Sequence, residues 1–462
     1  MRLRSQFRRQ RLADYKSESQ LMSKQFSRIL ALLLLAGLVV SSLLVNGQAK
    51  VSGFQGATAA TGTARNAAIV ATTAAVLKET SELRELPILK TVRSGAQSRT
   101  EIERMIIKNL DDESTPADMH ATELILTKLG LVNPGFKYRP FVIKLLTEQV
   151  AGYYDPKAQQ FYLADWIELE GQKPVMAHEL THALQDQHFD LRRFEKWPKG
   201  DSDAELAAHA LIEGDATLAM TLYMAKNPLV ALAFIRSLGA EGSASEQFKQ
   251  APRAIRESLL FPYEEGSEWA TQVYRRGGWS MVSQAFTNLP LSSEQILHVD
   301  KYFSHEAPVK VSLPDLKNAL PGWKRLEYDV NGEWGYYLIL DQFLNDASES
   351  KRAAAGWAGD RFALYEGPKT GDVFIAQMTT WDTENDAQEF FKAYAKRTEK
   401  RYQTAKPAEP VVTKSMGQRL NWQTSEGEVL LEVNGTHVLV LEGIPAKADA
   451  NNLAAQCFAA VN

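Results

Sequence analysis

The sequence is poor in cysteine and histidine and has no excess of basic residues. Cys457 is the only cysteine among 462 residues, so the chain cannot form an intramolecular disulfide, although an oxidising compartment is still permitted. The formal net charge is −4, which gives no sign of nucleic-acid binding, and we expect no nucleic acid among the partners. A hydrophobic share of 45% and a charged share of 23% are typical of a globular protein.

Long apolar runs are also scarce, and the clearest one lies near the N-terminus. Residues 29–45 are apolar apart from one glycine and two serines, and basic residues precede them. Gly47 and Ala49 are small residues at the positions that a signal peptidase reads, and Met22 as the start would give a leader of ordinary proportions. These features predict a signal peptide at residues 1–49, cleaved after Ala49, and a secreted or periplasmic protein. The alternative is an uncleaved membrane anchor at residues 29–45, which would then be the contact with the membrane.

The strongest chemical signal is the stretch His-Glu-Leu-Thr-His at residues 178–182. On a helix, His178 and His182 project from one face a turn apart, close enough to bind one ion, and Glu179 stands beside them. With 8 histidines in the chain, such a match arises by chance in about one sequence in a hundred of this composition. The flanking residues are apolar, and histidines in a buried helix need partners. We therefore predict a Zn²⁺ site with His178 and His182 as ligands.

The wider stretch, residues 178–186, resembles the active-site helix of the thermolysin-like gluzincin metallopeptidases. This resemblance implies zinc-dependent hydrolysis of peptide bonds, with Glu179 as the general base and a glutamate on a following helix as the third ligand. Asp186 lies one turn after His182, so it could hold a ligand histidine in the required tautomer. The alternative for Asp186 is an ordinary solvated helix residue.

The third ligand is expected on a helix at residues 201–224, which Ser202 could cap with Glu205 three residues on, as in a capping box. Glu205, His209 and Glu213 are each four residues apart and share one face. The cap and the helix dipole explain Glu205 without a metal. Glu213 has apolar neighbours, and its Glu-Gly-Asp-Ala context resembles the third-ligand motif of secreted gluzincin-like proteins. The gap from the histidine motif is longer than in thermolysin-like enzymes, and His209 is the main rival to Glu213.

Two further features bear on substrate binding and catalysis. Residues 152–165 read as strand, turn and strand, and gluzincins bind an extended peptide at such a β-edge, which would place residues 161–163 beside the substrate. An ordinary hairpin is the alternative. His298 is a candidate for stabilising the oxyanion, because gluzincins use a His or Tyr from their C-terminal helical half for this purpose. His298 could instead pair with Glu294, four residues before it.

The predicted fold class is α+β, with a mainly helical metallopeptidase domain that carries a small β-edge and a C-terminal α+β domain. The residues at 261–266 and 277–279 are expected to interrupt the helices, and Asn434-Gly435 predicts a hairpin. The predicted regions are a leader at 1–49, a flexible tether and entry segment at 50–99, the metallopeptidase domain at 100–350 and the C-terminal domain at 351–462.

Together these features predict a secreted or membrane-anchored zinc metallopeptidase that acts on peptide or protein substrates, with Zn²⁺ as its cofactor. A second hypothesis is an envelope-associated binding or scaffold protein with a structural metal site. Such a site would close with four protein ligands if His209 and Glu213 both bound the ion. A third hypothesis is a zinc hydrolase that acts on bonds other than peptide bonds.

Overall fold

The structure is a computed structural model that describes residues 55–166, 169–194, 197, 200–239, 246–403, 411–412 and 417–461. These residues form helices and two β-sheets, so the predicted α+β class is confirmed. The predicted leader lies outside the described residues. Within the described part, no single helix is long and apolar enough to cross a membrane; the pair Ser202–Lys226 and Pro228–Ser237, bent by 113°, passes by length and composition alone.

The first part of the chain contributes helices and three short strands. In chain order these are α1 (Gln55–Arg84), β1 (Arg93–Gln97), α2 (Arg99–Glu113), α3 (Pro116–Lys128), α4 (Tyr138–Gln149), β2 (Gly152–Asp155) and β3 (Gln160–Ala164). The structure differs from the flexible tether predicted for residues 50–99, because α1 occupies much of that range. Ile69, Val76 and Leu77 of α1 are buried in a core shared with the hairpin and with the histidine-motif helix, and this burial holds the helix in place.

The three short strands form one sheet in the order β1-β3-β2, with β1 parallel and β2 antiparallel to β3. The predicted strand, turn and strand at residues 152–165 are confirmed as β2 and β3. The prediction that residues 161–163 form the free edge is wrong, because β3 is paired on both sides. Among the described residues the free edge of the hairpin is β2, and its Tyr154 amide donates away from β3, to Glu179 at 3.0 Å.

A layer of helices follows, with α6 at its centre. The elements are α5 (Lys173–Phe189), α6 (Ser202–Lys226), α7 (Pro228–Gly239), α8 (Glu246–Gln250), α9 (Arg253–Ala285), α10 (Ser293–Leu297) and α11 (Val299–Phe303). Most residues of α6 are buried, and the helix packs against both α5 and α9. The interruption expected at 261–266 is absent from α9, since Pro262 lies within the helix. The interruption expected at 277–279 is confirmed, because the helix bends at Gly277 and Gly278, where Gly278 has a φ of 65°.

The C-terminal part is a larger sheet with helices packed on it. Its elements are β4 (Lys324–Asp329), α12 (Gly332–Leu344), α13 (Ala347–Ala354), β5 (Trp357–Glu366), β6 (Val373–Trp381), α14 (Glu384–Tyr402), β7 (Val411–Val412), β8 (Gln418–Thr424), β9 (Gly427–Asn434), β10 (His437–Ile444) and α15 (Ala450–Ala459). The seven strands lie in the order β4-β5-β6-β10-β9-β8-β7 and pair antiparallel. The predicted hairpin is confirmed, with Gly435 at a φ of 57° between β9 and β10. The first strand, β4, lies before residue 351, so the sheet extends into the range predicted for the metallopeptidase domain.

A buried ionic cluster ties this sheet to the first part of the chain. Glu442 on β10 accepts hydrogen bonds of 2.7 Å from Arg397 and from Arg401 on α14. Arg397 also donates to the carbonyl of Leu129, just after α3, at 2.6 Å. Burial alone would raise the pKa of Glu442, but the two guanidinium groups lower it to about 2.

We expect Glu442→Gln to reduce the free energy of unfolding at pH 7 by about 3–5 kcal/mol, because the substitution leaves a buried guanidinium without its counter-charge. The pKa of Glu442 in the folded state lies below the ordinary value of 4.5. The stabilisation is therefore complete above about pH 5 and is lost as the pH falls towards 2. Urea unfolding of the wild type and the variant between pH 2 and 7 should show a difference that narrows at acid pH. Glu399→Gln is the control, because Glu399 is exposed on α14, the helix that carries Arg397 and Arg401. A difference in the free energy of unfolding that stays constant with pH would contradict the expectation.

Candidate metal centre

The histidine motif lies on α5, between the small sheet and α6. Pro174 sits in the first turn of the helix, where its missing N–H costs no hydrogen bond. The helix ends at Phe189, and Asp190 follows it in the left-handed conformation with a φ of 53°. Because most of α5 is buried, the imidazole of His178 is held in the interior, facing α6.

The structure brings the three predicted ligands together. Nε2 of His178 lies 3.0 Å from Oε2 of Glu213 and 3.1 Å from Nε2 of His182. Nε2 of His182 lies 3.4 Å from the same carboxylate oxygen. Zinc with tetrahedral N and O ligands at about 2.0–2.1 Å separates its ligand atoms by about 3.3 Å. The observed separations are of this size, so the donor atoms fit a zinc ion.

The charges of the three side chains also favour a cation between them. Burial alone would raise the pKa of Glu213, but His182 and His178 hold it well below its usual range. Burial has the opposite effect on His182, yet the Glu213 carboxylate raises the pKa of His182 to about 9. The carboxylate therefore attracts positive charge to this point, and a metal ion that binds here displaces a proton.

Glu179 lies beside the cluster. Its Oε2 accepts the Tyr154 amide at 3.0 Å, which directs the carboxylate along the β2 edge. Burial raises the pKa of Glu179, although the nearby His178 and His182 oppose this shift. A carboxylate with a raised pKa is suited to accept a proton and to release it again during a reaction.

Three successive residues of α6 have separate partners. Glu213 faces the two histidines, Gly214 contacts α9 and Asp215 contacts α5 and α1. A Cβ on Gly214 would lie 2.2 Å from the carbonyl oxygen of Gly266, and a Cβ on Gly266 would lie 2.3 Å from that of Ala210. The two helices therefore cross with their backbones in contact, which only glycine allows.

The close crossing brings Tyr263 of α9 to the cluster. Its ring stacks beside His178 at 6.0 Å between ring centroids, and its hydroxyl lies close to the Glu213 carboxylate. Burial and the two carboxylates of Glu213 and Glu179 raise the pKa of Tyr263, so the hydroxyl stays protonated and can act as a donor. Phe-Pro-Tyr-Glu-Glu-Gly was expected to interrupt a helix, so Tyr263 was not predicted as a site residue. The signal available was Gly266, one turn after Tyr263.

A series of buried hydrogen bonds holds His182 through its Nδ1 atom. Nδ1 of His182 lies 2.8 Å from Oε1 of Gln185, and Nε2 of Gln185 donates to Asp215 at 2.9 Å and to the Ile212 carbonyl at 3.0 Å. Arg84, the last residue of α1, donates to both carboxylate oxygens of Asp215 at 2.6 and 3.1 Å. The side chains of Arg84, Gln185 and Asp215 are fully buried.

This series of hydrogen bonds determines the tautomer of His182. Carboxylate and carbonyl oxygens only accept hydrogen bonds, so the amide nitrogen of Gln185 must face Asp215 and Ile212. Its oxygen then faces His182, whose Nδ1 must carry the proton. In the neutral ring, the lone pair of Nε2 is consequently free to bind a metal ion.

Asp186 does not have the role considered for it. It is buried and accepts hydrogen bonds from the Tyr154 hydroxyl at 2.8 Å and from the Leu191 amide at 3.1 Å. Asp186 therefore joins the hairpin to the segment after α5, and both sequence-based readings of it are wrong. Gln185, one residue earlier, makes the contact with the ligand histidine.

The predicted capping box at the start of α6 is wrong as well. Asp201 is the cap, and its side chain accepts the amide of Ala204 at 3.2 Å. The Ser202 hydroxyl instead donates to Asp329 of β4, and its amide does so at 2.9 Å. These two hydrogen bonds from Ser202 therefore fix the start of α6 to the C-terminal sheet.

His209 is exposed and lies beside Glu205 on the surface of α6, a turn away from Glu213. His298 lies elsewhere: its Nε2 contacts Glu333 at 2.9 Å, and this contact raises the pKa of His298. Ser293, close before His298, donates to Asp203, which precedes Glu213 by ten residues or about 15 Å of helix. The geometry thus gives no support to the catalytic role predicted for His298, nor to its pairing with Glu294.

A second group of carboxylates, Glu294, Glu306 and Asp382, has the spacing to hold a metal ion. The ammonium of Lys301 already lies among them, at 2.7 Å from Glu294, 2.6 Å from Glu306 and 2.5 Å from Asp382. This group is therefore a salt-bridge network that links α10 and α11 to the end of β6.

Comparison with known proteins gives one match. A family described as a domain of unknown function (DUF8575) matches residues 320–454, which cover the C-terminal sheet from β4 into α15. No curated protein and no solved structure matches the chain. The match does not reach the residues of the metal centre.

We expect Gln185→Ala to weaken zinc binding about 10- to 100-fold, because His182 loses the partner that orients its ring and sets its tautomer. Zinc affinity is measured by competition with a chelator, alongside the melting temperature of the metal-free protein. Gln187→Ala is the matched control, since Gln187 lies on the same helix and bonds the backbone of Leu89 and Lys90. If both variants kept the wild-type affinity, the assigned role of Gln185 would be excluded.

We expect Gly266→Ala to destabilise the protein by about 1–3 kcal/mol, because the added Cβ forces α6 and α9 apart. The melting temperature reports this loss, and zinc affinity should fall with it as Tyr263 and Glu213 separate. Gly95→Ala is the control, because its Cβ would make only an ordinary contact of 3.6 Å. Equal melting temperatures for the two variants would show that the crossing can relax without cost.

Proposed function

We propose that this protein is a zinc-dependent metallopeptidase, with His178, His182 and Glu213 as zinc ligands and Glu179 as general base. The observation that carries the proposal is the convergence of the three donor atoms to within 3.0–3.4 Å, with the Glu179 carboxylate beside them. A bound zinc ion would polarise the scissile carbonyl and lower the pKa of a water molecule.

Glu179 is the proton carrier in this proposal. One carboxylate oxygen is held by the Tyr154 amide, so the side chain is oriented before a substrate arrives. Its raised pKa allows it to take the proton of the attacking water and then give it to the leaving amine nitrogen. The free edge of β2 lies next to this carboxylate, so an extended peptide can align along β2 rather than along residues 161–163.

Tyr263, rather than His298, is the candidate for stabilising the oxyanion. Its hydroxyl lies near Glu213, and its ring stacks beside His178. A protonated hydroxyl next to the metal centre is also a suitable donor to a carbonyl oxygen that gains negative charge. This role belongs to the proposal and rests on the position of Tyr263 beside the cluster.

The competing hypothesis of a structural metal site has less support. A structural zinc site needs four protein ligands, and His209 was the candidate for the fourth. In the described part of the chain, the group that could hold an ion at this point contains His178, His182 and Glu213, and His209 is exposed beside Glu205. Three ligands leave one position for water or substrate, as catalysis requires.

Substrate class and location complete the proposal. The substrate is a peptide or protein, and the protein acts outside the cytoplasm, either secreted or periplasmic. The predicted leader supports this location from sequence, and its processing is read directly by N-terminal sequencing of material from the cell envelope.

The proposal is tested by separating zinc content from hydrolysis. Glu179→Gln should keep the metal and lose about 10²–10⁴-fold in the rate of peptide cleavage, because only proton transfer is removed. Glu213→Ala should lose both zinc and activity, whereas His209→Ala should keep zinc within about tenfold of wild-type affinity. Zinc is measured by mass spectrometry of the metal, and cleavage with a broad peptide library. Full activity in Glu179→Gln, or zinc retained in Glu213→Ala and lost in His209→Ala, would defeat the assignment.

A further inference from the structure

Helix α7 leaves a stripe of large apolar side chains exposed. Its inner face is buried, with Phe234 fully enclosed and Val230 packed on the core that α1 and α5 share. The outer face carries Leu229, Leu232 and Ile235, which are 82%, 43% and 52% exposed. These residues are three positions apart, so they follow one another along the helix. Helix α7 is therefore apolar on its outer face as well as on its inner face.

This stripe differs from the other exposed apolar residues in the described part of the chain. The remaining large apolar side chains that are clearly exposed lie on separate segments: Val70, Ile88, Leu89, Leu291 and Val309. Scattered side chains of this kind need no explanation, whereas apolar residues in a continuous row mark a surface that binds another apolar surface. The outer face of α7 is therefore a contact surface.

The charges around the stripe are basic where they are not already paired. Helix α7 contains one charged residue, the exposed Arg236 in its last turn, next to the stripe. Two carboxylates on the elements that adjoin α7 have lysine partners, Glu79 with Lys226 at 3.6 Å and Glu170 with Lys173 at 2.8 Å. Aliphatic side chains beside a cation are typical of helices that lie in the membrane interface, where the cation reaches the headgroup phosphates.

The stripe lies at the end of the molecule to which the N-terminal segment leads. Asn66 of α1 accepts the Ala96 amide at 3.3 Å, and β1 pairs there with the end of β3. Ala164 at that end shares a buried cluster with Phe234 of α7. From Asn66 the chain leads back through the start of α1 to the membrane anchor predicted at residues 29–45. An anchor at that position would bring this end of the molecule, and α7 with it, to the membrane.

A lipid bilayer fits this surface better than a second copy of the chain does. A stable interface between two proteins needs about 800 Å² on each partner, which is far more than three side chains of a 12-residue helix provide. We propose that α7 docks on a membrane, with Leu229, Leu232 and Ile235 in the outer part of the acyl layer and Arg236 at the headgroup phosphates. This contact is separate from the predicted anchor and from the proposed peptidase function, so it forms whether or not the leader is removed.

Fluorescence quenching from within the bilayer tests the inference. The full chain carries Leu232→Cys as its one accessible thiol, because Cys457 is buried, and a small fluorophore is attached there. Vesicles of phosphatidylethanolamine and phosphatidylglycerol contain some lipid with a spin label in the acyl chain. We expect them to quench this label about five- to tenfold more than a label at Val309→Cys. Val309 is the control because it is similarly exposed but lies beside β5. Equal quenching of the two labels overturns the inference.

Further substitutions test whether the stripe itself makes the contact. In the chain labelled at residue 232, Leu229→Ser/Ile235→Ser removes two aliphatic side chains from the stripe and should lower the quenching about five- to tenfold. The matched control, Ile88→Ser/Leu89→Ser, removes two exposed aliphatic side chains from the segment after α1 and should leave the quenching unchanged. Unchanged quenching in the first variant, or an equal loss in both, contradicts the assignment of the contact to α7.

Measurements without lipid distinguish a membrane from a second copy of the chain. If the label at residue 232 is shielded from iodide before vesicles are added, and light scattering shows a dimer, another copy covers the stripe and the inference is overturned. A label that is open to iodide and becomes shielded when vesicles are added supports the inference. Zinc and peptide cleavage play no part in these measurements, so failure of the peptidase proposal would leave the inference standing, and the reverse also holds.

Discussion

The contact between the backbones of α6 and α9 is the constraint on which the metal centre depends. Gly214 and Gly266 allow the two helices to meet at a distance that any side chain would prevent. Because Glu213 and Asp215 flank Gly214, the same crossing orients Glu213 towards His178 and turns Asp215 towards Gln185. Each residue of Glu-Gly-Asp therefore makes a contact that its neighbours cannot make, and a shift of α6 by one residue would break all three contacts.

The buried pair of Arg84 and Asp215 extends this constraint to the N-terminal helix. A fully buried carboxylate needs a counter-charge, and Arg84 provides it with two hydrogen bonds. Arg84 is itself fixed by Ser283 at 3.1 Å and by the ring of Trp279 at 4.4 Å, both just after the bend of α9. The bend at Gly277 and Gly278 thus brings the end of α9 back to the network that sets the tautomer of His182. Helix α1 belongs to the structural support of the metal centre, even though its sequence, rich in Ala, Gly and Thr, resembles a linker.

Sequence patterns predicted the three residues that converge, because their spacing along the helices is local. The spacing of His178 and His182 and the shared face of Glu205, His209 and Glu213 follow from helix periodicity, so the candidates were few. Partners that come from distant segments were not accessible in this way. Gln185 and Asp186 both lie one turn after His182, and periodicity cannot tell which of them faces the ring; the Tyr154 hydroxyl, far away in sequence, engages Asp186 and leaves Gln185 for the histidine. Tyr263 was missed for the same reason.

The strands and hairpins show the same difference between local patterns, which sequence predicts, and distant contacts, which it does not. The β2–β3 hairpin and the hairpin at Asn434-Gly435 were predicted, because a few adjacent residues determine the turn. The parallel partner β1, with the sequence Arg-Ser-Gly-Ala-Gln, lacks the β-branched and aromatic residues that mark strands, so its pairing with β3 arises from tertiary packing. That pairing moves the free edge to β2 and changes which backbone can meet a substrate.

The position of β4 bears on how the two parts of the chain act together. Its Asp329 binds the Ser202 amide at the start of α6, while Glu327 lines the cleft that begins at Glu213. The match to the family of unknown function begins at residue 320 and so includes β4 together with the sheet behind it. None of the three candidate ligands comes from this part of the chain, yet it forms part of one wall of the cleft beside them. The candidate ligands therefore lie on α5 and α6, and the C-terminal sheet contributes to the cleft that adjoins them.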